Sequence, residues 1–386
     1  MLPAMSMTAP TDGAGAPATA EPRVDGVAIV YRLYDVGYEI HLDRVAELLA
    51  GSVPERPRLV RGGAQSIHIP NPPVSAVLGS ETVTVAGAPR EVEFAARVFD
   101  FGVVSLRARL TAPPDLPWSD FVALGTAVAA APEWAETFAR VRERLLERIA
   151  PTIERGGEAP VTEDYVVFRV NRLADAAGAR LPAEALRDED IARLLVGEPR
   201  PLAAATRRDL LSPRFSYFDD DLAVLTWNAA LVVEPVADDT DVQYVLEFAN
   251  AQLLELRFDD AMLDAEIPQI YTRMAEARRG FHLLGRRFSR LLADLHTRVA
   301  DVTELVERAE NSLKVTDDVF LARIYAAALE VFRGATWRRG IDRKLAILRD
   351  SYGMLEAESQ ARRSEVLEVI IILLIAFEIL LTLLGH

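Results

Sequence analysis

The amino-acid sequence predicts a mixed α/β (α+β) domain that is followed by long helices. Short apolar or alternating runs, which are typical of strands, recur before Pro235 and stop after it. Apolar residues at helical spacing follow, and a nearly uninterrupted apolar run ends the sequence. We therefore expect a disordered tail at 1–25, the mixed domain at 26–236, a helical hairpin or coiled coil at 237–363 and a terminal helix at 365–384.

The expected strands of the mixed domain show two patterns. Residues 27–34 and 165–170 form mostly apolar runs, each with one arginine (Arg32 and Arg169), as in strands that are covered on both faces. Residues 81–85 and 91–99 alternate polar and apolar side chains, as half-buried strands do. Further strands are expected at 103–110, 213–218 and 222–233, and helices at 40–49, 118–130 and 133–154.

Helical spacing dominates the sequence after the mixed domain. Val242 and Leu246 begin a helical stripe, and Pro268 is expected to end or kink this helix. Two seven-residue apolar repeats follow, at 281–309 and 341–355, with a short turn between them. Two heptad-patterned helices with a short link are typical of an antiparallel helical hairpin.

The composition excludes several classes of site. The chain has 386 residues, enough for two domains with a sizeable core. It has no cysteine, which excludes disulfides, cysteine-ligated zinc, iron–sulfur clusters and a thiol nucleophile. The net charge of −15 disfavours general nucleic-acid binding, because phosphates require a cationic surface. Lysine occurs only at Lys314 and Lys344 and alanine is abundant, which indicates a GC-rich bacterial genome.

The first residues predict no targeting segment. They are rich in Ala, Pro, Thr and Gly, and they lack the basic start and apolar run of a secretory signal. Such a composition favours a disordered tail.

The terminal apolar run predicts a membrane anchor. At about 1.5 Å per residue, residues 366–384 would span about 28 Å as a helix, close to a bilayer core of about 30 Å. Arg362 and Arg363 precede the run, which predicts a single-pass protein of the cytoplasmic membrane with its soluble domain facing the cytoplasm. The predicted anchor residues are Val366, Ile370, Leu373, Phe377, Glu378 and Leu380.

Glu378 supports an alternative to the anchor. A carboxylate at membrane depth costs about 2.5 kcal/mol or more. The alternative is a buried helix in a soluble oligomer.

Catalytic motifs are not recognised in the sequence. Asp100-Phe101-Gly102 resembles a kinase landmark, but no glycine-rich loop or His-Arg-Asp loop accompanies it. The five histidines have no metal-ligand spacing. The run Asp219-Asp220-Asp221 is the one dense group of carboxylates, and it is typical of a solvated turn. We therefore predict no catalytic, cofactor-binding or metal-binding residues.

Two arginine clusters lie in the helical part of the sequence. They consist of Arg278, Arg279, Arg286, Arg287 and Arg290 in one predicted helix and of Arg338, Arg339, Arg343 and Lys344 in the next. The residues proposed to contact an anionic partner are Arg286, Arg287, Arg290, Arg339 and Arg343. One interpretation is a solvated face that pairs with neighbouring glutamates. The other is a contact with anionic lipid headgroups or RNA.

The last third of the sequence resembles a known family. The resemblance rests on Leu329-Glu330 with Arg333, on the run from Ile341 to Leu348, on Arg362-Arg363-Ser364-Glu365-Val366-Leu367-Glu368-Val369-Ile370-Ile371-Ile372, and on Phe101-Gly102-Val103-Val104. These segments are similar to the "required for meiotic nuclear division" or sporulation Rmd-type family, with Asp342 in place of Asn and Val369 in place of Trp. The resemblance implies a membrane-anchored, oligomer-forming protein without known catalysis, whose mitochondrial relatives support organellar translation.

The function expected from the sequence is that of a non-catalytic, membrane-anchored interaction or scaffold protein. It is expected to form homo-oligomers and to use no cofactor. The alternative is a membrane-tethered factor that associates with RNA or ribosomes through the arginine clusters.

Overall fold

The computed structural model describes residues 21–50, 60–61, 64–65, 71–157, 161–235, 240–279, 297, 300 and 318–384. Residues 1–20 of the predicted tail at 1–25 lie outside the described residues, and its last three residues, from Arg23, belong to a strand instead. Arg286, Arg287, Arg290 and nearly all of the first predicted heptad repeat also lie outside the described residues.

The described part of the mixed domain is built on one large sheet. Its long strands are β1 (Arg23–Asp35), β5 (Val74–Val85), β6 (Ala88–Val98), β7 (Val103–Thr111) and β10 (Thr162–Ala174). The order along the sheet is β11-β12-β13-β10-β1-β7-β6-β5, and β8 pairs with β1. The shorter strands are β2 (Glu39–Ile40), β3 (Val60–Arg61), β4 (Ala64–Gln65), β8 (Leu116–Pro117), β9 (Ile153–Glu154), β11 (Arg214–Phe215), β12 (Leu222–Leu225) and β13 (Ala229–Val233).

Strand β1 lies in the middle of the sheet and is mostly apolar on both faces. Ala28, Val30 and Tyr34 belong to one hydrophobic core, whereas Ile29 and Leu33 belong to the other. Successive side chains of a strand point to opposite faces, so a central strand between two helical layers is apolar at most positions of both faces. This explains the mostly apolar pattern at 27–34, in which Arg32 is the exception and pairs with Asp164 at 2.6 Å.

Each face of the sheet is covered by helices. The first core holds side chains of α2 (Trp118–Ala129), α3 (Trp134–Ile149) and α4 (Asp188–Val196). The second core holds side chains of α6 (Asp241–Arg279) and α7 (Val319–Val331). The remaining helices are α1 (Leu42–Leu48), α5 (Ala204–Leu210) and α8 (Gly334–Leu384). The mixed α/β prediction is therefore confirmed.

The segment expected as one strand at 222–233 is a hairpin. Strands β12 and β13 pair antiparallel, with Leu225 opposite Ala230. Thr226 closes the turn, because its backbone N–H and its hydroxyl both donate to the Ala229 carbonyl, at 2.8 and 2.7 Å. A two-residue turn of Trp227 and Asn228 carries none of the glycine that usually marks a hairpin, so the pattern alone did not reveal it.

Helix α6 continues through Pro268, where an end or a kink was expected. It runs from Asp241 to Arg279. After the proline, two side chains donate to carbonyls four residues earlier: Gln269 Nε2 to Ala265 at 3.2 Å and the Thr272 hydroxyl to Pro268 at 2.9 Å. Neither bond reaches the Asp264 carbonyl, which is the acceptor that a proline at this position leaves without its backbone donor.

The prediction of a transmembrane helix was wrong. Among the described residues, no helix has an apolar stretch long enough to cross a bilayer. The anchor at 365–384, its single-pass topology and the assignment to the cytoplasmic membrane are therefore withdrawn.

Gly102 provides a test of the fold at the turn between β6 and β7. Its φ is +92°, and a Cβ built on it would lie 1.8 Å from the Gly37 carbonyl oxygen. Gly87 has a similar φ of +76° but open space around it. We expect Gly102→Ala to lower the free energy of unfolding by about 3 kcal/mol or more, from strain and a backbone clash together.

The matched control is Gly87→Ala, which adds the strain without the clash and is expected to cost about 1–2 kcal/mol. Urea unfolding of both variants measures the difference. Equal losses in the two variants would show that the close approach of Gly102 to Gly37 is absent.

Candidate interaction site

Helix α6 presents a polar stripe to the sheet, which we call the seam. Its members are Gln243, Glu247, Glu255 and Asp259, and Ala251 completes the four-residue spacing. Residues four apart are neighbours on the surface of a helix, so these side chains form one row that winds gradually around it. Each is at most 5% exposed, although such polar residues are rarely buried without partners. The seam is therefore the most unusual part of this helix–sheet interface.

A buried ion pair lies near the N-terminal end of the seam. Arg97 on β6 donates from Nη1 to Glu247 Oε2, and the two side chains are 6% and 0% exposed. Arg97 Nε also donates to the Ser75 hydroxyl at 3.3 Å, and its guanidinium lies 4.5 Å from the centre of the Tyr244 ring. Burial raises the pKa of Tyr244 above its usual range, so its ring carries no competing charge. The pair therefore fixes α6 against β6, which lies next to the edge strand β5.

A second contact orients the first turn of α6. Gln243 Nε2 donates to the Tyr31 hydroxyl at 2.6 Å, in the middle of β1. Because Tyr31 is 1% exposed, this amide is one of the groups that satisfy its hydroxyl away from water. The amide and the ion pair together set both the rotation and the position of α6 on the sheet.

Three buried carboxyl groups lie together at the C-terminal end of the seam. Asp35, at the end of β1, lies next to Glu255 and Asp259 of α6, and the three are 7%, 5% and 1% exposed. Asp35 accepts from the Gly37 N–H at 3.2 Å. Within the described residues, both carboxyl oxygens of Asp259 and one of Glu255 have no hydrogen-bond partner.

The pKa values of these three carboxyl groups are raised. Burial raises the pKa of Asp35 to about 7, although the Gly37 N–H opposes the shift. Burial, and then the charge of Asp35, raise the pKa of Asp259 to about 7. Burial and the charges of Asp35 and Asp259 raise the pKa of Glu255 well above its usual range. The group is therefore a proton-binding cluster near neutral pH.

Lys344 joins α8 to the outer side of α6. Its Nζ lies 2.7 Å from Asp260 Oδ1 and 2.6 Å from Asp264 Oδ1, and it donates to the Asp260 carbonyl at 3.1 Å. These bonds keep the pKa of the partly buried Lys344 above its usual range against the opposing effect of burial. Beside this contact, Ile341, Leu345 and Leu348 are buried. The first turns of α8 are thereby held on the body of the protein.

The described end of α8 is apolar in every direction. Val369, Ile370, Leu373, Phe377 and Leu380 are between 47% and 63% exposed. Their apolar neighbours Ile371, Ile372, Leu374, Ile375 and Ile379 are exposed within the same limits. We call residues 368–380 the terminal segment. It is the largest run of exposed apolar side chains in the described part of the chain.

The predicted site residues fall into two groups in the structure. Ile370, Leu373, Phe377, Glu378 and Leu380 lie in the exposed terminal segment, and the side chain of Val366 lies outside the described ones. Arg339 and Arg343 are exposed on α8, where Arg339 Nη2 donates to the Thr336 hydroxyl at 3.3 Å. The structure thus brings the first group together as one apolar surface.

The seam was not predicted from the sequence. The apolar stripe of α6 was predicted, but the polar row that runs beside it at a spacing of four was not. The available signal was a helix whose acidic and amide residues interrupt apolar positions on more than one side. A helix of that kind is expected between two packed layers, where both of its sides are buried.

The run of three aspartates at 219–221 is engaged in a turn. Asp221 Oδ1 accepts from the Tyr217 N–H at 2.7 Å and from the Ser216 hydroxyl at 3.2 Å. Asp220 forms an ion pair with Arg180 at 3.1 Å. Among the described residues, no group of three or more His, Cys, Asp or Glu side chains has an arrangement that could hold a metal ion.

Comparison with known families identifies the mixed domain. The family model "Uncharacterized protein MJ0711, N-terminal domain" matches residues 25–240, which is more than half of the chain. The chain belongs to the MJ0711 N-terminal-domain family. The match includes the sheet except for the first two residues of β1, and it ends immediately before α6.

One relative in this family is archaeal. The chain is 22% identical over 245 residues to the uncharacterized protein MJ0711 of Methanocaldococcus jannaschii, which covers 63% of this chain and 73% of that protein. No solved structure matches the chain. The archaeal relative overturns the bacterial assignment, since a GC-rich composition does not distinguish bacteria from archaea. The resemblance to the Rmd-type family stays a prediction.

A prediction for this family member concerns the Arg97–Glu247 pair. Glu247→Ala leaves a buried guanidinium without its carboxylate, and we expect a loss of about 3–5 kcal/mol of unfolding free energy. The double variant Arg97→Met/Glu247→Leu removes both charges and is expected to recover most of that loss. Chemical denaturation of the two variants measures both values.

The matched control is the exposed pair of Glu136 and Arg140, which are four residues apart on α3 at 2.9 Å. Glu136→Ala is expected to cost less than about 0.5 kcal/mol. If Glu247→Ala behaves like Glu136→Ala, α6 is not fixed by this ion pair.

Proposed function

We propose that the protein is a non-catalytic interaction protein that assembles with further copies of itself through the terminal segment. The mixed domain and α6 form a rigid base, and α8 carries the terminal segment away from it. The observation that carries the proposal is the exposure of ten large apolar side chains within residues 368–380.

Exposed apolar surface of this size is costly in water. Burial gains about 25 cal/mol for each Å² of apolar surface, and contiguous exposed patches larger than a few hundred Å² mark interaction sites. Residues 369–375 are seven consecutive apolar positions, which is about two full turns of helix. A single neighbouring helix would cover only one side of them. We therefore expect an assembly of three or more copies.

The terminal segment cannot be covered by its own chain's α6. Residues 334–384 are one continuous helix, and Lys344 attaches its beginning to α6. From Lys344 to Glu368 the helix extends about 36 Å at 1.5 Å per residue. A straight helix cannot fold back, so α6 does not cover this segment, and a second copy of the chain is the occupant that we propose.

A second copy matches the terminal segment chemically. The segment contains no basic residue, and Glu368 and Glu378 are its charged residues. An identical segment offers the same Val, Ile, Leu and Phe side chains, so packing can be complementary on both sides. An antiparallel arrangement would place Glu378 beside apolar residues near 370 of the partner rather than beside a second Glu378.

The carboxyl groups that could suggest a catalytic site have structural roles or are closed from water. The carboxyl groups of the seam and of the adjacent Asp35 are at most 7% exposed. Asp220 and Asp221 have partners within their own turn or on Arg180. These observations support a role in assembly rather than in a reaction.

Hydrodynamic mass measures the proposed assembly. The full chain has a mass of 42.5 kDa, and we expect sedimentation equilibrium to give a mass three or more times larger. Leu373→Glu/Phe377→Glu introduces two carboxylates on one side of the terminal segment and should weaken association at least tenfold, because burying unpaired charge is costly.

The matched control is Met354→Glu, at an exposed apolar position of the same helix, 65% exposed and outside the terminal segment. This variant should associate like the unmodified chain. A monomeric full chain, or equal weakening by Met354→Glu, would refute self-assembly through residues 368–380. Nucleic acid that co-purifies and is lost after Arg339→Glu/Arg343→Glu would instead support the RNA-associated alternative.

A further inference from the structure

The carboxyl cluster of the seam has no cation to balance it. Asp35, Glu255 and Asp259 make no ion pair within the described residues, and Asp259 has neither of its oxygens hydrogen-bonded. A buried carboxylate without a partner costs several kcal/mol in its charged form, so such a group takes up a proton instead. The geometry therefore couples the closed position of α6 to protonation.

The neighbouring basic groups are committed to other carboxylates. Arg97 of β6 is paired with Glu247, and Arg257 of α6 is paired with Glu163 of β10. Lys344 of α8 holds Asp260 and Asp264. On the sheet face itself, strand alternation places Arg107 and Arg109 of β7 and Arg169 of β10 towards α6, and Arg107 and Arg169 have interactions of their own. Arg97, Arg257 and Lys344 are thus held by carboxylates outside the cluster.

We propose that Asp35, Glu255 and Asp259 form a proton-operated latch, which holds the middle of α6 against the sheet in mildly acidic solution and releases it above neutrality. Release means local opening around Glu255 and Asp259, while the Arg97–Glu247 pair keeps the first turns of α6 in place. Lys344 attaches α8 one residue further along α6, so opening of this turn also loosens the base of α8.

The direction of the pH dependence follows from the raised pKa values. The pKa of a free aspartate is about 4. Burial raises the pKa of Asp35 and that of Asp259 to about 7 in the folded protein. The folded state therefore binds more protons than the open state between about pH 4 and pH 7. The stabilisation is complete below about pH 4 and is lost as the pH rises through about 7. For each proton that is released on opening, the opening constant rises about tenfold per pH unit between about pH 4 and pH 7.

Hydrogen exchange of the full chain tests the latch. Amide exchange in peptides that cover residues 248–263 is followed between pH 5.5 and pH 8 and corrected for the intrinsic pH dependence of exchange. We expect the opening constant of the unmodified chain to rise by at least tenfold across this range. Asp259→Asn keeps the shape of the side chain but removes its charge, so it should flatten this rise and lower the opening constant at pH 8.

Two further variants keep the test decisive. Asp260→Asn changes the adjacent carboxylate, which is held by Lys344, and should shift the opening constant equally at all pH values. Glu255→Gln repeats the test at a second position of the cluster. An unchanged rise in both Asp259→Asn and Glu255→Gln, or a pH-independent unmodified chain, would overturn the latch. The latch is local to α6 and does not depend on assembly, so its failure and the failure of self-association are distinguishable.

Discussion

The burial of a polar row between α6 and the sheet is the constraint on which the rest of the structure depends. Helix α6 forms one layer of the second core and also carries α7 and α8 on its outer side. A helix in that position is buried on both sides, so every polar residue in it requires a partner or a proton. Glu247 has Arg97, and Gln243 has Tyr31. Asp35 accepts from the Gly37 N–H, whereas Asp259 has no hydrogen-bond partner among the described residues and depends on a proton.

This row is more specific than an apolar interface would be. A purely apolar face tolerates sliding and rotation of a helix, whereas a buried Arg–Glu pair is costly in every position but one. The same row makes the turns of α6 around Asp259 sensitive to pH, since their closed position depends on neutral carboxyl groups. Precise placement of α6 and conditional opening therefore arise from one set of side chains, and both reach α8 through Lys344.

The sequence was sufficient to predict the mixed fold and its central strand, because residues 27–34 are mostly apolar on both faces of a buried sheet. It was not sufficient for the hairpin at Thr226, where a side-chain hydrogen bond takes the role of a glycine. Nor could it reveal the seam, whose partners Asp35 and Arg97 lie more than 100 residues away from α6 along the chain. The terminal segment shows a different limit, because an apolar run specifies burial but not the medium that buries it.

Dipolar electron paramagnetic resonance measures most directly whether terminal segments meet in the assembly. The chain has no cysteine, so Ala376→Cys introduces a single labelling site, on an exposed position of the terminal segment. If the terminal segments of different copies meet, we expect short distances between their spin labels. These distances should disappear when labelled chains are diluted with an excess of unlabelled ones. Labels that show no mutual interaction at concentrations where the chain is associated would contradict this expectation.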